Sequence, residues 1–419
     1  MSSDREAAGA AQALQGIRVA EFTAGMAGPW IGRIMATCGA EIIKIESHRH
    51  PTVVRLYVPP RAPELGIQPA LSPWLTDWDA GKRFVALDLS RPDSIELARR
   101  IVSICDVVIE NYSSGVMEKL GLGYEELARI RPDLIYFSSS GYGDTGPCRR
   151  YVTWGPNIEA LSGLATLSGF PERECTLTQF AYPDGLSALH GLFAVLCALD
   201  HRTRTGEGQR ISLSQLETTI GALGPLMMEQ LAQGREPQRL GNASLHAAPQ
   251  GCYPCRGEDR WCAITVATDT EWDRFCDVLQ RPDWREDARF ATLAARLAHR
   301  AELDAAIAVW TSARTDYDVM DTLQRAGIAA GVAQTAEDEV RHDRQLAARG
   351  FFEEVEHLAK GRVVAPGIPL GLTATPSRTG RAGAGIGQDN DSVFHGLLGM
   401  SPEEIRRAIE AGAIEPPDS

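Results

Sequence analysis

The sequence predicts an α/β protein in which a doubly wound domain with a parallel sheet is joined to a second, smaller domain. Apolar strand-like runs alternate with amphipathic helices between Ile17 and Ser139, as in doubly wound sheets. The chain has 419 residues, more than one hydrophobic core usually organises. Beyond a loop at residues 234–251, helices predominate over strands, which indicates a differently organised unit.

The predicted sheet begins with a strand–helix–strand unit: strand Ile17–Phe22, helix Trp30–Thr37 and strand Glu41–Glu46. The small-residue loop 23–29 follows the carboxyl end of the first strand, where open α/β sheets bind their ligands. The alternation continues in these segments: Phe84–Leu89, Ser94–Ser103, Asp106–Glu110, Tyr124–Ile130 and Leu134–Ser139.

A glycine-rich turn at residues 141–147 follows the last of these strands and matches G-x-G-x-x-G. In dinucleotide-binding proteins this turn opens a helix whose N-terminus holds the pyrophosphate. Here Pro147 is followed by Cys148 and Arg149 and not by an apolar helical pattern. The sequence therefore does not favour a nicotinamide cofactor.

The stretch around Asp184 carries the strongest helical pattern of the middle of the chain. Apolar residues recur there at spacings of three and four: Leu186, Leu189, Phe193 and Leu196. The pattern predicts a helix ending near Arg202, with Asp184 in its first turn, where unpaired N–H groups favour an anion. On pattern alone, Asp184 is compatible with an N-cap as well as with a carboxylate nucleophile.

The second half is predicted to carry mainly helices. The predicted elements are a strand around 211–214, helix 220–233, strand Trp261–Thr265, helices 270–279, 300–312 and 316–325, strand 331–333, helix Glu337–Arg349, strands Phe351–Glu356 and Gly361–Val364, and helix Ser401–Ala411. Cys252 and Cys255 form a C-x-x-C without a second pair at zinc-finger spacing, which favours structural thiols.

Composition narrows the class of protein further. The formal net charge of −13 disfavours a nucleic-acid partner. No apolar run is long enough to predict a membrane span, and the first residues do not match a signal peptide. Nine scattered cysteines suit a reducing compartment. We therefore expect a cytoplasmic protein with no membrane partner.

Seven segments, in order along nearly the whole chain, resemble the class III CoA-transferase family, which includes formyl-CoA transferase, carnitine CoA-transferase and α-methylacyl-CoA racemase. They are GIRVAEFTAGMAGP, GAEIIKIE, AGKRFVALDL, DVVIENYSSGVMEKLG, SSGYGDTGP, PDGLSALHGLFAVLCALDHRTRTGEGQRISLSQLE and GIPLGLTATP. WGPNIEALSG and GNASLHAAPQGCYPCRG are similar to the branch that holds benzylsuccinate CoA-transferase, which implies a bulkier acid than formate or oxalate.

The resemblance implies a large Rossmann-like domain built from residues 1–225 and 336–419, with a small domain at 226–335. It implies an interlaced homodimer; a heteromer with a homologous subunit stays open. Coenzyme A, or an acyl-CoA, would be a substrate, with no permanently bound cofactor and no metal.

The resemblance also assigns site residues. The family nucleophile falls on Asp184, and the CoA contacts fall on Ala24, Gly25, Met26, Ala27, Lys82, Asn111, Tyr112 and Lys119. Asp144 matches an acidic residue of the family's active-site loop, which implies a substrate contact. His246 lies in segment 241–251, which would cover the site, and is either a loop residue or a second substrate contact.

Some positions depart from the family pattern. Ser47 and Ser140 stand where relatives carry an arginine or a lysine, so the residues that bind the CoA phosphates stay open, with Arg49 or Arg55 as alternatives. Trp154 and Gly155 replace the His and Asp of the racemase, which removes the obvious acid–base pair for proton exchange.

The function implied is transfer of CoA from an acyl-CoA donor, such as succinyl-CoA, to a carboxylic acid through aspartyl anhydride and aspartyl-CoA thioester intermediates. The alternatives are an acyl-CoA racemase or isomerase on the same fold and a non-catalytic CoA-binding partner subunit. The sequence does not name the donor, the acceptor or the pathway.

Overall fold

A computed structural model describes residues 11–56, 72–357 and 361–418 of the chain. The strands are β1 (Arg18–Phe22), β2 (Glu41–Glu46), β3 (Arg83–Ala86), β4 (Val107–Glu110), β5 (Ile135–Ser140), β6 (Gln209–Ser214), β7 (Gln250–Pro254), β8 (Trp261–Thr265), β9 (Ala329–Val332), β10 (Phe352–His357) and β11 (Gly361–Pro366). The helices are α1 (Ala27–Thr37), α2 (Pro73–Trp78), α3 (Pro92–Ser103), α4 (Val116–Lys119), α5 (Tyr124–Ile130), α6 (Gly155–Leu161), α7 (Leu164–Leu167), α8 (Tyr182–Thr205), α9 (Gln215–Ala222), α10 (Gly224–Gln233), α11 (Asp269–Val278), α12 (Leu293–Ala298), α13 (Arg300–Ser312), α14 (Asp316–Arg325), α15 (Ala336–Arg341), α16 (Arg344–Arg349), α17 (Asn390–Phe394) and α18 (Pro402–Glu410).

The main sheet confirms the predicted fold class. Its six strands lie in the order β3-β2-β1-β4-β5-β6, and all of their pairings are parallel. This is a doubly wound order that reverses direction between β1 and β4. Loops from the carboxyl ends of those two strands therefore flank a crevice at the edge of the sheet where such folds bind ligands.

Helices cover both faces of this sheet. On one face, α3 and the C-terminal residues Phe394 and Ile414 pack with Phe22, Val108 and other strand residues. On the opposite face, α1 and α8 pack against Val19, Ile109 and Phe137. Burial on both sides accounts for the nearly continuous apolar runs in β1, β2 and β4.

Helix α8 packs closely against the sheet, because most of the residues it buries are small. They are Pro183, Gly185, Ser187, Ala188, Gly191, Val195, Ala198 and Leu199. A Cβ on Gly191 would lie only 2.6 Å from Phe137 Cζ and 2.8 Å from Ile31 Cδ1. The predicted helix is confirmed. Its large apolar residues Leu189, Phe193 and Leu196, however, are exposed on the surface of the single chain, and Phe193 is 70% exposed.

Helix α8 is also the one helix among the described residues that is long and apolar enough to cross a membrane by length and composition. Its packing against β5 and α1 assigns it to the core of the α/β unit.

The described chain forms two compact units. The first contains residues up to Ala165, Leu177–Ala232 and the stretch from Leu346 onward; the second contains Thr166–Thr176 and Gln233–Gln345. In the second unit the antiparallel sheet β7-β8-β9 packs against α11, α13 and α14 around Trp272 and Trp284, whose rings stack 5.9 Å apart. Cys252 and Cys255 are free thiols there, and burial raises the pKa of Cys255 to about 11.

Several predicted elements differ from those observed. The predicted helix 220–233 is two helices, α9 and α10, that meet at Gly224-Pro225, because proline has no N–H to continue a helix. The predicted helix Glu337–Arg349 is likewise divided, at residues 342–343. Strand β7 was not predicted: its first two residues fall in the predicted loop 234–251, and it pairs with β8 beyond a turn.

We expect Gly191→Ala to lower the free energy of unfolding by about 1–3 kcal/mol, because the added methyl group collides with Phe137 and Ile31. The matched control is Gly221→Ala in α9, where a Cβ meets nothing within 4 Å. That change should raise stability by about 0.5–1 kcal/mol through helix propensity. Urea denaturation measures both, and equal effects of the two changes would contradict the close packing.

Candidate active site

A cavity of about 640 Å³ lies at the carboxyl end of the main sheet, within the range of small-molecule sites. It is lined by Ala24, Gly25, Met26, Val53, Val54, Trp78, Asn111, Tyr112, Ser113, Ser139, Ser140, Gly141, Arg149, Tyr151, Val152, Thr153, Trp154, Gly155, Pro156, Asn157, Ala181, Asp184 and Gln215. Apolar and polar groups alternate along this wall, and Asp184 is the one carboxylate among the described lining residues.

Asp184 reaches the cavity because of how α8 enters the sheet. The helix runs into β6 through a turn at 206–208 and lies antiparallel to the strands, so its N-terminus meets their carboxyl ends. Asp184 is the third residue of α8 and lies in its first turn, as predicted. The unpaired N–H groups and the dipole of that turn stabilise a carboxylate or an oxyanion.

The surroundings of Asp184 make its carboxyl a weaker acid than usual. Burial raises its pKa to about 6, while hydrogen bonds from the Ala27 N–H, its own N–H and the Gln215 side chain offset part of that rise. None of the described cations lies close enough to contribute to this pKa. The carboxylate is therefore ionised at neutral pH but only partly stabilised, as expected of a nucleophile.

Gly155 allows α6 to approach this carboxylate. A Cβ at Gly155 would lie 2.6 Å from Asp184 Oδ2, so a larger side chain there would force the aspartate to move. The neighbouring Trp154 is the N-cap residue of α6; it lines the cavity and is 56% exposed.

Two loops predicted to bind CoA meet at the crevice between β1 and β4. The Ala24 N–H donates to Asn111 Oδ1, and Asn111 Nδ2 donates to the Ala24 carbonyl, both at 2.8 Å. The Gly25 N–H donates to Thr52 Oγ1 at 3.2 Å. The structure thus brings five predicted CoA contacts to the cavity: Ala24, Gly25, Met26, Asn111 and Tyr112.

Lys82 lies elsewhere, within a buried ion network. Its Nζ donates to Glu21 Oε1, Asp79 Oδ1 and the Pro29 carbonyl at 2.7–2.8 Å, and its side chain is 0% exposed. Lys44 joins the same carboxylates at 2.8 and 3.5 Å. All three protons of the Lys82 ammonium are used inside the protein, so the structure does not bring this group to the cavity.

Of the other predicted contacts, Ala27 directs its N–H to Asp184, whereas Lys119 and Asp144 are not among the residues that line the cavity. Lys119 is exposed at the end of α4, and Asp144 forms an ion pair with Arg210 at 2.9 Å. His246 is exposed and belongs to the second unit, as does segment 242–251. Their predicted roles stay predictions.

The alternative phosphate-binding residues differ in availability. The Arg55 guanidinium is buried and forms hydrogen bonds with Glu46 at 2.7 and 2.8 Å. Arg49 is 65% exposed and lies 3.5 Å from Asp88. Ser47 donates to Glu415 Oε1 at 3.2 Å. Of the two arginines, Arg49 is the one accessible to a ligand.

Sequence reasoning did not assign Gln215, Ser139 and Arg149, which line the cavity with Asp184. Gln215 is the first residue of a helix, and no pattern in the neighbouring sequence predicts its contact with Asp184. Most of α8 and all of β6 lie between the two residues in the chain. The consecutive serines at 138–140, at the end of a predicted strand, were the one available signal for Ser139.

The raised pKa of Asp184 has a consequence for stability. Because the pKa is higher in the folded protein than in the unfolded chain, the neutral carboxyl group favours the folded state. That contribution to the free energy of unfolding is fully present below the unfolded pKa of about 3.9 and is lost as pH rises through about 6. We expect Asp184→Asn to be more stable than the natural protein by about 1–3 kcal/mol at pH 8, with the gain shrinking toward pH 4. Urea denaturation at both pH values measures it, and a difference independent of pH would contradict the assigned burial.

Comparisons with known proteins bear on this site. The family model described as CoA-transferase family III matches residues 14–390. A succinyl-CoA–D-citramalate CoA-transferase of Chloroflexus aurantiacus is 32% identical over 94% of this chain and 96% of its own length. A succinate–glutarate CoA-transferase of Agrobacterium fabrum is 32% identical over 91% of this chain and 94% of its own.

A solved structure agrees with these sequence relatives. The crystal structure of a CAIB/BAIF family protein from Brucella suis superposes with a TM-score of 0.83 at 30% identity, covering 92% of this chain and 99% of that one. A family match over most of the chain, with the same fold, confirms what the seven motifs indicated. The chain belongs to CoA-transferase family III and is an enzyme of that class.

Proposed function

We propose that the protein moves CoA from an acyl-CoA donor, succinyl-CoA or a close analogue, to a carboxylic acid, with Asp184 as the covalent nucleophile. The observation that carries this proposal is a partly desolvated carboxylate at a helix N-terminus, in the wall of a cavity large enough for a pantetheine arm. The relatives that act on succinyl-CoA and on succinate with glutarate support the choice of donor.

The reaction follows from that placement. An Asp184 oxygen attacks the thioester carbonyl, the C–S bond breaks, and CoA leaves as a thiolate from an aspartyl–acyl anhydride. The thiolate then attacks the aspartyl carbonyl, which releases the donor acid and leaves an aspartyl-CoA thioester. The acceptor carboxylate repeats the two steps in reverse, which forms the new acyl-CoA and restores the Asp184 carboxylate.

Backbone groups are suited to stabilise the charge that develops. The N–H of Asp184 itself, in the first turn of α8, and the Ala27 N–H both act on the Asp184 carboxyl. Hydrogen bonds from such fixed donors strengthen as an oxyanion forms. The exposed apolar residues of α8 are consistent with the proposed homodimer.

Trapping tests the covalent route. The protein is incubated with succinyl-CoA and other acyl-CoAs, treated with hydroxylamine, and digested for mass spectrometry. We expect a hydroxamate on Asp184, none in Asp184→Ala, and undiminished labelling in Asp200→Asn, an exposed aspartate of the same helix. Turnover by Asp184→Ala would contradict the mechanism, and deuterium uptake at the α-carbon without labelling would indicate a racemase.

The pKa of Asp184 also predicts the pH dependence of transfer. Because only the carboxylate attacks, kcat/KM should rise with pH up to about 6 and then level off. Initial rates between pH 4.5 and 8 measure this profile, and a flat profile across pH 6 would argue against Asp184 as the attacking group.

Arg149 provides a proposed means of selecting dicarboxylic acids. It is the one cationic side chain among the described residues that line the cavity. Its Nη1 donates to the Gly146 carbonyl at 3.3 Å, and no carboxylate of the described residues pairs with it. A second carboxylate on the acceptor would supply the missing partner.

We expect Arg149→Gln to raise KM for glutarate by about 10-fold or more, the value of a charge-assisted hydrogen bond, while KM for pentanoate stays the same. Arg150→Gln, an exposed neighbour outside the cavity lining, is the control. An equal change for both acids would show that Arg149 does not read the second carboxylate.

A further inference from the structure

Strand β5 ends in three consecutive serines that differ in their hydrogen bonding. Ser138 Oγ donates to Asp144 Oδ1 at 3.4 Å. The hydroxyl oxygens of Ser139 and Ser140 are shielded from solvent and have no partner among the described residues. Both serines line the cavity that contains Asp184, and Ser139 is 2% exposed.

These two hydroxyls are costly for folding. A buried polar group without a partner destabilises a protein by roughly 1–3 kcal/mol. Alanine, which is nearly the same size, would avoid that cost at either position. Since buried polar groups are almost always satisfied, an exception in a cavity wall indicates a partner that arrives with a ligand.

The alternation of side chains along β5 distinguishes the two serines. Ser139 lies on the same face of the sheet as Phe137, two residues earlier, and Phe137 packs against Gly191 of α8. Asp184 is in the first turn of that same helix, at the carboxyl end of the sheet. Ser139 is therefore on the face that carries the nucleophile, while Ser140 shares the face of Ser138.

We propose that the Ser139 hydroxyl donates a hydrogen bond to the acyl oxygen of the substrate held against Asp184. This role rests on the proposed CoA transfer and adds a side-chain donor to the backbone groups of α8. When Asp184 attacks, the π electrons of the carbonyl move onto its oxygen. The serine proton stays on Oγ, and only the hydrogen bond becomes stronger.

The test compares turnover with stability. Ser139→Ala should lower kcat by about 100-fold or more, as loss of a donor to an oxyanion does, with KM for the acyl-CoA changed little. Its Tm should equal or exceed that of the natural protein, because an unsatisfied hydroxyl has been removed. Ser139→Thr keeps the hydroxyl and should recover much of the lost kcat, whereas Ser140→Ala should lose less than Ser139→Ala.

A buried serine that does have a partner is the matched control. Ser94 Oγ donates to the Ala413 carbonyl at 2.8 Å, and Ser94 lies outside the cavity lining. Ser94→Ala should lower Tm and leave kcat unchanged, the reverse of the result expected at Ser139.

Two outcomes overturn the proposal: natural values of kcat and KM in Ser139→Ala, or a loss of turnover that accompanies a fall in Tm. Its failure can be told apart from failure of the proposed chemistry. If hydroxylamine labels Asp184 and Ser139→Ala is fully active, only the role of Ser139 is wrong. If Asp184 is never labelled in the natural protein, the covalent route is wrong.

Discussion

The site depends on the close contact between the small-residue face of α8 and the main sheet. Gly191 leaves no room for a side chain between the helix and Phe137, so the helix axis is drawn toward the strands. That contact sets where the N-terminus of α8 emerges, and with it the position of Asp184. The larger apolar residues of the helix are left facing outward, where another surface can bury them.

Buried charged side chains of the same unit have two contrasting environments. Glu21, Lys44, Asp79 and Lys82 are fully buried but pair with one another, and those contacts lower the pKa of Asp79 to about 2 despite its burial. Asp184 has only hydrogen bonds from neutral groups, and its pKa is raised. The network serves the fold, whereas the raised pKa of Asp184 is consistent with its proposed role as a nucleophile.

Other polar groups that line the cavity also differ in whether they have partners within the protein. Gln215 and the Ala27 N–H both lower the pKa of Asp184. Within the described parts of the chain, the hydroxyls of Ser139 and Ser140 have no partner and the guanidinium of Arg149 has no carboxylate partner. Stability alone would favour alanine at both serine positions. A cavity whose wall contains unsatisfied donors is prepared for a ligand that carries acceptor oxygens.

The sequence by itself determined the alternation of strands and helices in the parallel-sheet unit, the family, and the location of Asp184 in the first turn of a helix. These follow from periodicity and from local motifs, which are properties of neighbouring residues. Only the tertiary structure decided that α8 turns its glycines inward, that Lys82 belongs to a buried ion network and that Gln215 acts on Asp184. It also decided that the Ser139 hydroxyl finds no partner in the part of the chain that the structure describes. Each of these depends on contacts between residues far apart in the chain, which no local pattern encodes.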